Sequence, residues 1–205
     1  MEKQKLLIAT RNKGKFPEIM EKLKDLPLEF FSLNDFDKSD FKIEEVEETA
    51  MTFKGNAIIK AVAYGAKLNM LTLADDSGLE IDALSGRPGI FSARYVEGSD
   101  QDRYEKILEE MKDVPEEKRT ARFKCVIAIY NPKNQDISTF EGKIEGVILQ
   151  KPKGTSGFGY DPIFFVPEIG ETLAEIEIGS KNEIDHRGRA LEKFKEAFLK
   201  NDLDL

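Results

Sequence analysis

Short apolar runs alternate with amphipathic stretches along the whole chain. Residues 5–10 (KLLIAT) form an apolar run that ends in a polar loop at 11–15, after which Ile19, Met20, Leu23 and Leu26 recur at helical spacing. The pattern predicts a strand, a loop and a helix, with Pro17 in a first turn that tolerates it. Residues 28–33 read as a second strand, and an acidic stretch follows at 44–48. Thr49 or Thr52 then caps a helix to about Asn69, whose stripe is Phe53, Ala57, Ala61, Tyr64 and Leu68. Residues 71–74 form an apolar run, interrupted by Asp75-Asp76-Ser77-Gly78, before Leu79, Ile81 and Ala83 alternate as a new strand.

Farther along, residues 86–89 break the pattern, and 100–112 form an amphipathic helix through Tyr104, Ile107, Leu108 and Met111. Residues 122–130 make a β-rich run, Asn131-Pro132 a turn, and 138–149 one or two further strands. Residues 151–159 form a Gly, Pro and Lys loop. A helix over 187–200 closes the pattern, with Leu191, Phe194 and Phe198 on one side. Helices and strands mix throughout, which predicts an α/β fold with a mixed sheet, a β-rich middle section and a cleft between two lobes.

Composition narrows the chemistry. The 205 residues carry 31 Lys and Arg against 39 Asp and Glu, a formal charge of −8, and 40% of them are apolar. Such a chain can bury a core, so wholesale disorder is excluded. Its acidity argues against general nucleic-acid binding, including an RNA-binding reading of the loop at 151–160. With one Cys and one His, neither a disulfide nor a thiolate–imidazole zinc cage forms within the chain, so a metal site is built from oxygen. Residues 1–11 hold no apolar core of signal-peptide length, and no run approaches the roughly 20 apolar residues of a membrane helix. The expectation is a cytoplasmic protein without membrane partners.

Four segments carry candidate chemistry. The loop Thr10-Arg11-Asn12-Lys13-Gly14-Lys15 leads into a helix N-terminus, where free N–H groups and three cations suit an anion; its spacing is not that of a Walker loop. Asp75 and Asp76 are adjacent carboxylates that oppose one another unless a dication such as Mg²⁺ sits between them, and Glu44, Glu45, Glu47 or Glu48 can supply a second ligand. Phe158 and Tyr160, within GTSGFGYD, offer faces for a planar ring, or plug the core. Lys181, His186 and Arg187 gather before the last helix. No Gly-x-Ser-x-Gly elbow accompanies the single His, which sets serine hydrolases aside. Taken singly, each segment reads equally as an ordinary turn, charge run or packed residue.

Taken together, they resemble the inosine and xanthosine triphosphate pyrophosphatases, which clear non-canonical purine nucleotides. The matching segments are ATRNKGKFPE, ETAMTFKGNAIIKA, ADDSGLEIDALSGRPGIFSARY, FGYDPIFF and KNEIDHRGRA, in the family's order from end to end. The resemblance implies one domain over residues 1–205 with an elongated mixed β-sheet flanked by helices, two lobes around a central cleft, and a homodimer. It also implies Mg²⁺-dependent hydrolysis of ITP, dITP or XTP to the monophosphate and pyrophosphate. By the same resemblance Thr10, Arg11, Asn12, Lys13, Gly14 and Lys15 contact phosphate, and Asp76 is proton acceptor and metal ligand. Glu48 is the second metal ligand and Ser77 a substrate contact. Phe158, Gly159, Tyr160 and Asp161 form the base-side loop, and Lys181, His186 and Arg187 complete the substrate contacts. The chain departs from the family pattern at Ala50, where Gly is usual, at Gly55, where a larger polar residue is common, and at Asp185, where Ser commonly precedes His-Arg. A binding module that has lost turnover is the rival reading.

Overall fold

A computed structural model describes residues 3–37 and 42–203. Seven strands form one mixed sheet in the order β2-β1-β3-β4-β5-β6-β7. Strand β1 (Gln4–Ile8) pairs in parallel with β2 (Leu28–Ser32) and β3 (Leu71–Ile81). Strands β4 (Thr120–Asn131), β5 (Asp136–Ile148), β6 (Phe164–Val166) and β7 (Glu171–Thr172) continue the sheet antiparallel. Helices α1 (Lys15–Leu23), α2 (Phe53–Leu68), α3 (Asp100–Glu110), α4 (Ile178–Ile184) and α5 (His186–Leu199) flank it. This is the mixed α/β architecture that the alternating pattern predicts.

Periodicity explains which faces are covered. Leu6 and Ile8 of β1 point into a cluster with α1 and α5, whereas Leu7 points the other way, into a cluster with Ala57, Ala61 and Tyr64 of α2. With both faces covered, the strand reads as an unbroken apolar run rather than an alternating one. A third cluster lies at the far ends of β3 and β4, where Leu79, Ile81 and Phe123 pack on Ile107 and Met111. Thr52 is the cap of α2, its hydroxyl accepting from Gly55 N at 3.0 Å, and Asn69 ends that helix in the left-handed conformation (φ 51°).

The structure corrects two expectations. Asp75-Asp76-Ser77-Gly78 does not interrupt a strand: β3 runs through it for 11 residues, paired with β4 from Asp75↔Ile127 to Gly78↔Lys124. Backbone pairing is indifferent to side-chain polarity, and the side chains here find partners of their own. The stretch falls between the proximal and distal apolar clusters, which makes it the polar middle of one long strand. The second correction is α4, with the short β6 and β7. None of these carries an apolar stripe long enough to read from sequence.

Helix α5 sits close to its neighbours because two glycines permit it. A Cβ at Gly188 would overlap the Asn182 carbonyl oxygen, and one at Gly142 of β5 would overlap that of His186. Gly188→Ala is therefore expected to cost about 1–3 kcal/mol, read as a lowered urea midpoint with an unchanged m-value.

Candidate active site

A cavity of about 920 Å³ opens between the α2 cluster and the distal cluster, and segments distant in sequence line it. It takes Thr10, Arg11, Asn12 and Lys15 from the β1–α1 loop, and Glu45, Glu47 and Glu48 from the acidic stretch. Lys60 comes from α2, Asp76 and Ser77 from β3, Phe123 from β4, Phe158 to Asp161 from the aromatic loop, and Lys181, His186 and Arg187 from α4 and α5. A smaller cavity of about 610 Å³, lined by residues such as Lys22, Lys143 and Glu192, contains none of the predicted site residues.

The β1–α1 loop differs from its expected form. Asn12 Oδ1 accepts from Gly14 N at 2.8 Å and Lys15 N at 3.1 Å, so the chain itself occupies two of the N–H groups expected to await an anion. Arg11 is tied to Asp37 at 2.8 Å and to the Ile43 carbonyl at 2.8 Å. Lys13 is exposed and outside the cavity lining, and Gly14 lets the Phe158 ring rest on the backbone. Lys15 is the cation of this loop that faces inward, with its Nζ 2.9 Å from Asp75 Oδ2.

Adjacent residues of a strand point to opposite faces, and this separates the two aspartates. Asp75 is buried beside Lys15 and receives Arg187 Nε at 3.4 Å. Burial alone would raise its pKa, but the charges of Lys15, Arg187 and Lys60 outweigh it and hold the carboxyl below the usual carboxylate range. Asp76 lies on the α2 side. Its Oδ2 accepts from Asn56 Nδ2 at 3.1 Å, and its Oδ1 accepts from Ser77 N at 3.0 Å and stands 3.9 Å from Lys60 Nζ. Burial, aided by the nearby Glu48, pushes this carboxyl up, against the pull of Lys60, Lys15 and Asn56. The aspartates do not share a proton, because their surroundings part them.

Glu48, the least exposed of the four glutamates in its stretch, donates charge to the same point. Its Oε1 is 2.5 Å from Lys60 Nζ and its Oε2 accepts from Arg94 at 2.9 Å. Two carboxylates thus converge on one cationic position, the Lys60 ammonium. Among the described residues no group of three or more His, Cys, Asp or Glu side chains is arranged to hold a metal. Two carboxylates, completed by water and substrate phosphate, are the set that Mg²⁺ commonly takes, so these residues fit that ion.

Behind the opposite wall lies a buried ionic network. Glu18 of α1 receives Lys181 Nζ at 2.7 Å and is also paired with Arg187 Nη1. Lys181 reaches Asp161 Oδ2 at 2.8 Å, and Arg187 Nη2 donates to Ser77 Oγ at 3.0 Å. Burial opposes the charge of Lys181, but Asp161 and Glu18 keep it protonated. His186 is stacked on Phe123, with centroids 4.8 Å apart and planes 13° from parallel; burial and the nearby Arg187 and Lys181 lower its pKa well below the usual value. A neutral imidazole is packed at the wall. In the aromatic loop Phe158 lies under Lys181 and Arg187, whose charged groups are 5.1 and 5.6 Å from its centroid. Gly159 N donates to Asp100 Oδ2 at 2.8 Å. Tyr160 is buried in the distal core with its hydroxyl on the Ser92 carbonyl at 2.8 Å, so only Phe158 keeps the role of a stacking face.

The sequence profile of the Ham1 family matches residues 6–197. The chain belongs to the Ham1 family. A protein of Geobacter sulfurreducens named dITP/XTP pyrophosphatase is 49% identical over 94% of this chain and 95% of its own length. One of Halalkalibacterium halodurans with the same name is 49% identical over 91% and 95%. The solved HAM1 protein of Coxiella burnetii superposes with a TM-score of 0.86 at 39% identity, covering 96% of this chain and 99% of that one. The Ham1 protein of Staphylococcus aureus gives 0.82 at 37%, covering 98% and 100%.

Ala50 and Gly55, two of the positions noted above, are in contact. A Cβ at Gly55 would lie 2.5 Å from that of Ala50, so the Ala50 methyl leaves no room for a side chain at 55. Sequence reasoning assigned no role to Glu18, Asn56 or Phe123. Asn56 and Lys60, polar at i and i+4 beside the apolar stripe of α2, are a legible signal; Asn56 also accepts from Ala50 N at 2.9 Å, coupling the acidic stretch to Asp76. Lys181→Met leaves the buried Asp161 without its cation and Glu18 with Arg187 alone. It is expected to cost about 3–5 kcal/mol in chemical denaturation.

Proposed function

We propose that the chain hydrolyses ITP, dITP and XTP to the nucleoside monophosphate and pyrophosphate. The observation that carries this reading is the convergence of Glu48 and Asp76 on one cationic point beside Lys15, in the same cavity as the Phe158–Arg187 wall. The names of the relatives, matched over nearly their whole length, support it. In this reading the chain works as a single domain of two lobes, in the cytoplasm and as a homodimer; sedimentation velocity giving a monomer at micromolar protein would remove the last element.

The triphosphate lies along the Lys15 and Lys60 side, and the purine lies against Phe158. Asp76 aligns a water with the α-phosphorus and takes its proton as the new P–O bond forms. The α–β bridge then breaks, and pyrophosphate leaves as one piece. Asn56 holds the carboxylate of Asp76 through Oδ2 and leaves Oδ1 directed toward Lys60. A Mg²⁺ held by Glu48 and Asp76 supplies charge neutralisation of the phosphate oxygens. At the purine end, a 6-keto oxygen accepts a hydrogen bond where adenine would present a donor. The Phe158 and Gly159 N–H groups are already given to Asp161 and Asp100, so this reading assigns the hydrogen bond to Arg187, which lines that wall.

The test is a panel of ITP, XTP, dITP and GTP with Mg²⁺, measuring pyrophosphate and orthophosphate separately. Pyrophosphate from the first three and little from GTP is expected; binding without product would replace the enzyme by a sensor. Asp76→Asn should lower kcat by about 10²–10⁴-fold while the melting temperature stays close to that of the parent protein.

A further inference from the structure

Helices α4 and α5 meet at one residue. Asp185 ends α4 with its N–H donating to the Lys181 carbonyl at 2.9 Å, and it opens α5, where its Oδ1 accepts from Gly188 N at 2.7 Å and its carbonyl from Arg189 N at 3.0 Å. Lys181 stands one turn before this joint, and His186 and Arg187 follow it directly. All three line the cavity, and Asp185 does not. Its side chain is fully buried, and its second oxygen, Oδ2, has no hydrogen-bond partner. Capping needs one oxygen, which Ser or Asn supplies as well. The second oxygen brings a charge into the interior at a desolvation cost that the cap does not require. No charged group bonds to Oδ2; the charges that act on it through space are those of Arg187 on α5, Lys181 on α4 and Glu18 on α1, with the Cys125 thiol of β4 nearby.

We infer that Asp185 is a positioning residue for the base-side wall: its carboxylate sets the first turn of α5, and its negative charge holds His186 and Arg187 in the orientation that grips the purine. The inference rests on the nucleotide reading of the cavity. Asp185 touches no substrate and acts through the two residues that follow it. Burial raises its pKa to about 6, against the pull of Arg187, so the group changes charge close to neutrality. Above that pH the ionised form interacts with the positive end of α5 and with Arg187. Below it, the proton removes both interactions and leaves a weaker cap.

The experiment compares the parent protein with Asp185→Asn, which keeps the capping oxygen without the charge, and with Asp185→Ser, which keeps the cap through a hydroxyl. Two quantities are read across the pH range: Kd for inosine monophosphate by calorimetry, and KM and kcat for ITP. Ionisation of the ligand phosphate is common to all proteins, so the variant-to-parent ratio isolates residue 185. The Kd ratio is expected near one at about pH 5, where the parent residue is itself protonated, and to grow toward about fivefold by about pH 8. The loss should fall more on KM than on kcat. A ratio independent of pH, a loss confined to kcat, or a failure of both variants to fold overturns the inference and leaves Asp185 a structural cap. A parent protein that releases no pyrophosphate and binds no monophosphate overturns the nucleotide reading instead.

Discussion

The guanidinium of Arg187 is where three separate parts of the chain are joined. It pairs with Glu18 of α1, meets Asp75 of β3 at 3.4 Å and donates to Ser77 at 3.0 Å, and nearly all of it is withdrawn from water. A buried ion cluster of this kind stabilises little in net terms, because desolvation consumes most of the Coulomb gain. Its consequence is geometric. Removing any member strands the others, so the helix that brings His186 and Arg187, the helix that brings Glu18 and the strand that brings Asp75 have one mutual arrangement. The cavity wall is defined by that arrangement.

The alternation of β3 divides the labour of the centre. Asp75, turned toward α1 and α5, becomes an anionic part of the scaffold, surrounded by Lys15 and Arg187. Its neighbour, turned toward α2, faces Asn56, Lys60 and Glu48 and keeps a raised proton affinity. Two chemically identical side chains one residue apart thus acquire different charge behaviour, and the cause is the pleat of a single strand. The same strand spans two apolar clusters, so its polar middle is anchored at both ends by β4 pairing and cannot drift as a surface loop would. In the proposed mechanism the Asp76 carboxylate gains from that rigidity, since proton transfer depends on close placement.

The pocket also holds an economy of donors and acceptors. Asn12 takes the N–H groups of Gly14 and Lys15 at the entry to α1, Asp161 and Asp100 occupy the N–H groups of the aromatic loop, and Tyr160 is committed to the core. What faces the cavity with strong charge or a flat face is a short set of side chains, Lys15, Lys60, Arg187 and Phe158, and the three cations are already paired with Asp75, Glu48 and Glu18. Selectivity then resides in few contacts, each backed by a buried partner that fixes its direction.

The amino-acid sequence by itself determined the α/β class, the strand–loop–helix entry at residues 4–23, the apolar stripe of α2 and the family resemblance, because these depend on local periodicity and on motifs whose order survives without coordinates. It also restricted any metal to oxygen donors, since one Cys and one His leave no other set. Only the tertiary structure decided that Asp75 and Asp76 face apart, that Glu48 rather than Glu44 is brought to Lys60, that Lys13 stays in solvent and that Glu18 serves both Lys181 and Arg187. Those outcomes are set by pairings between residues as far as 169 positions apart. Such a pairing has no local signature: the same Glu in the first turn of a helix is an ordinary dipole partner until the fold places two buried cations against it.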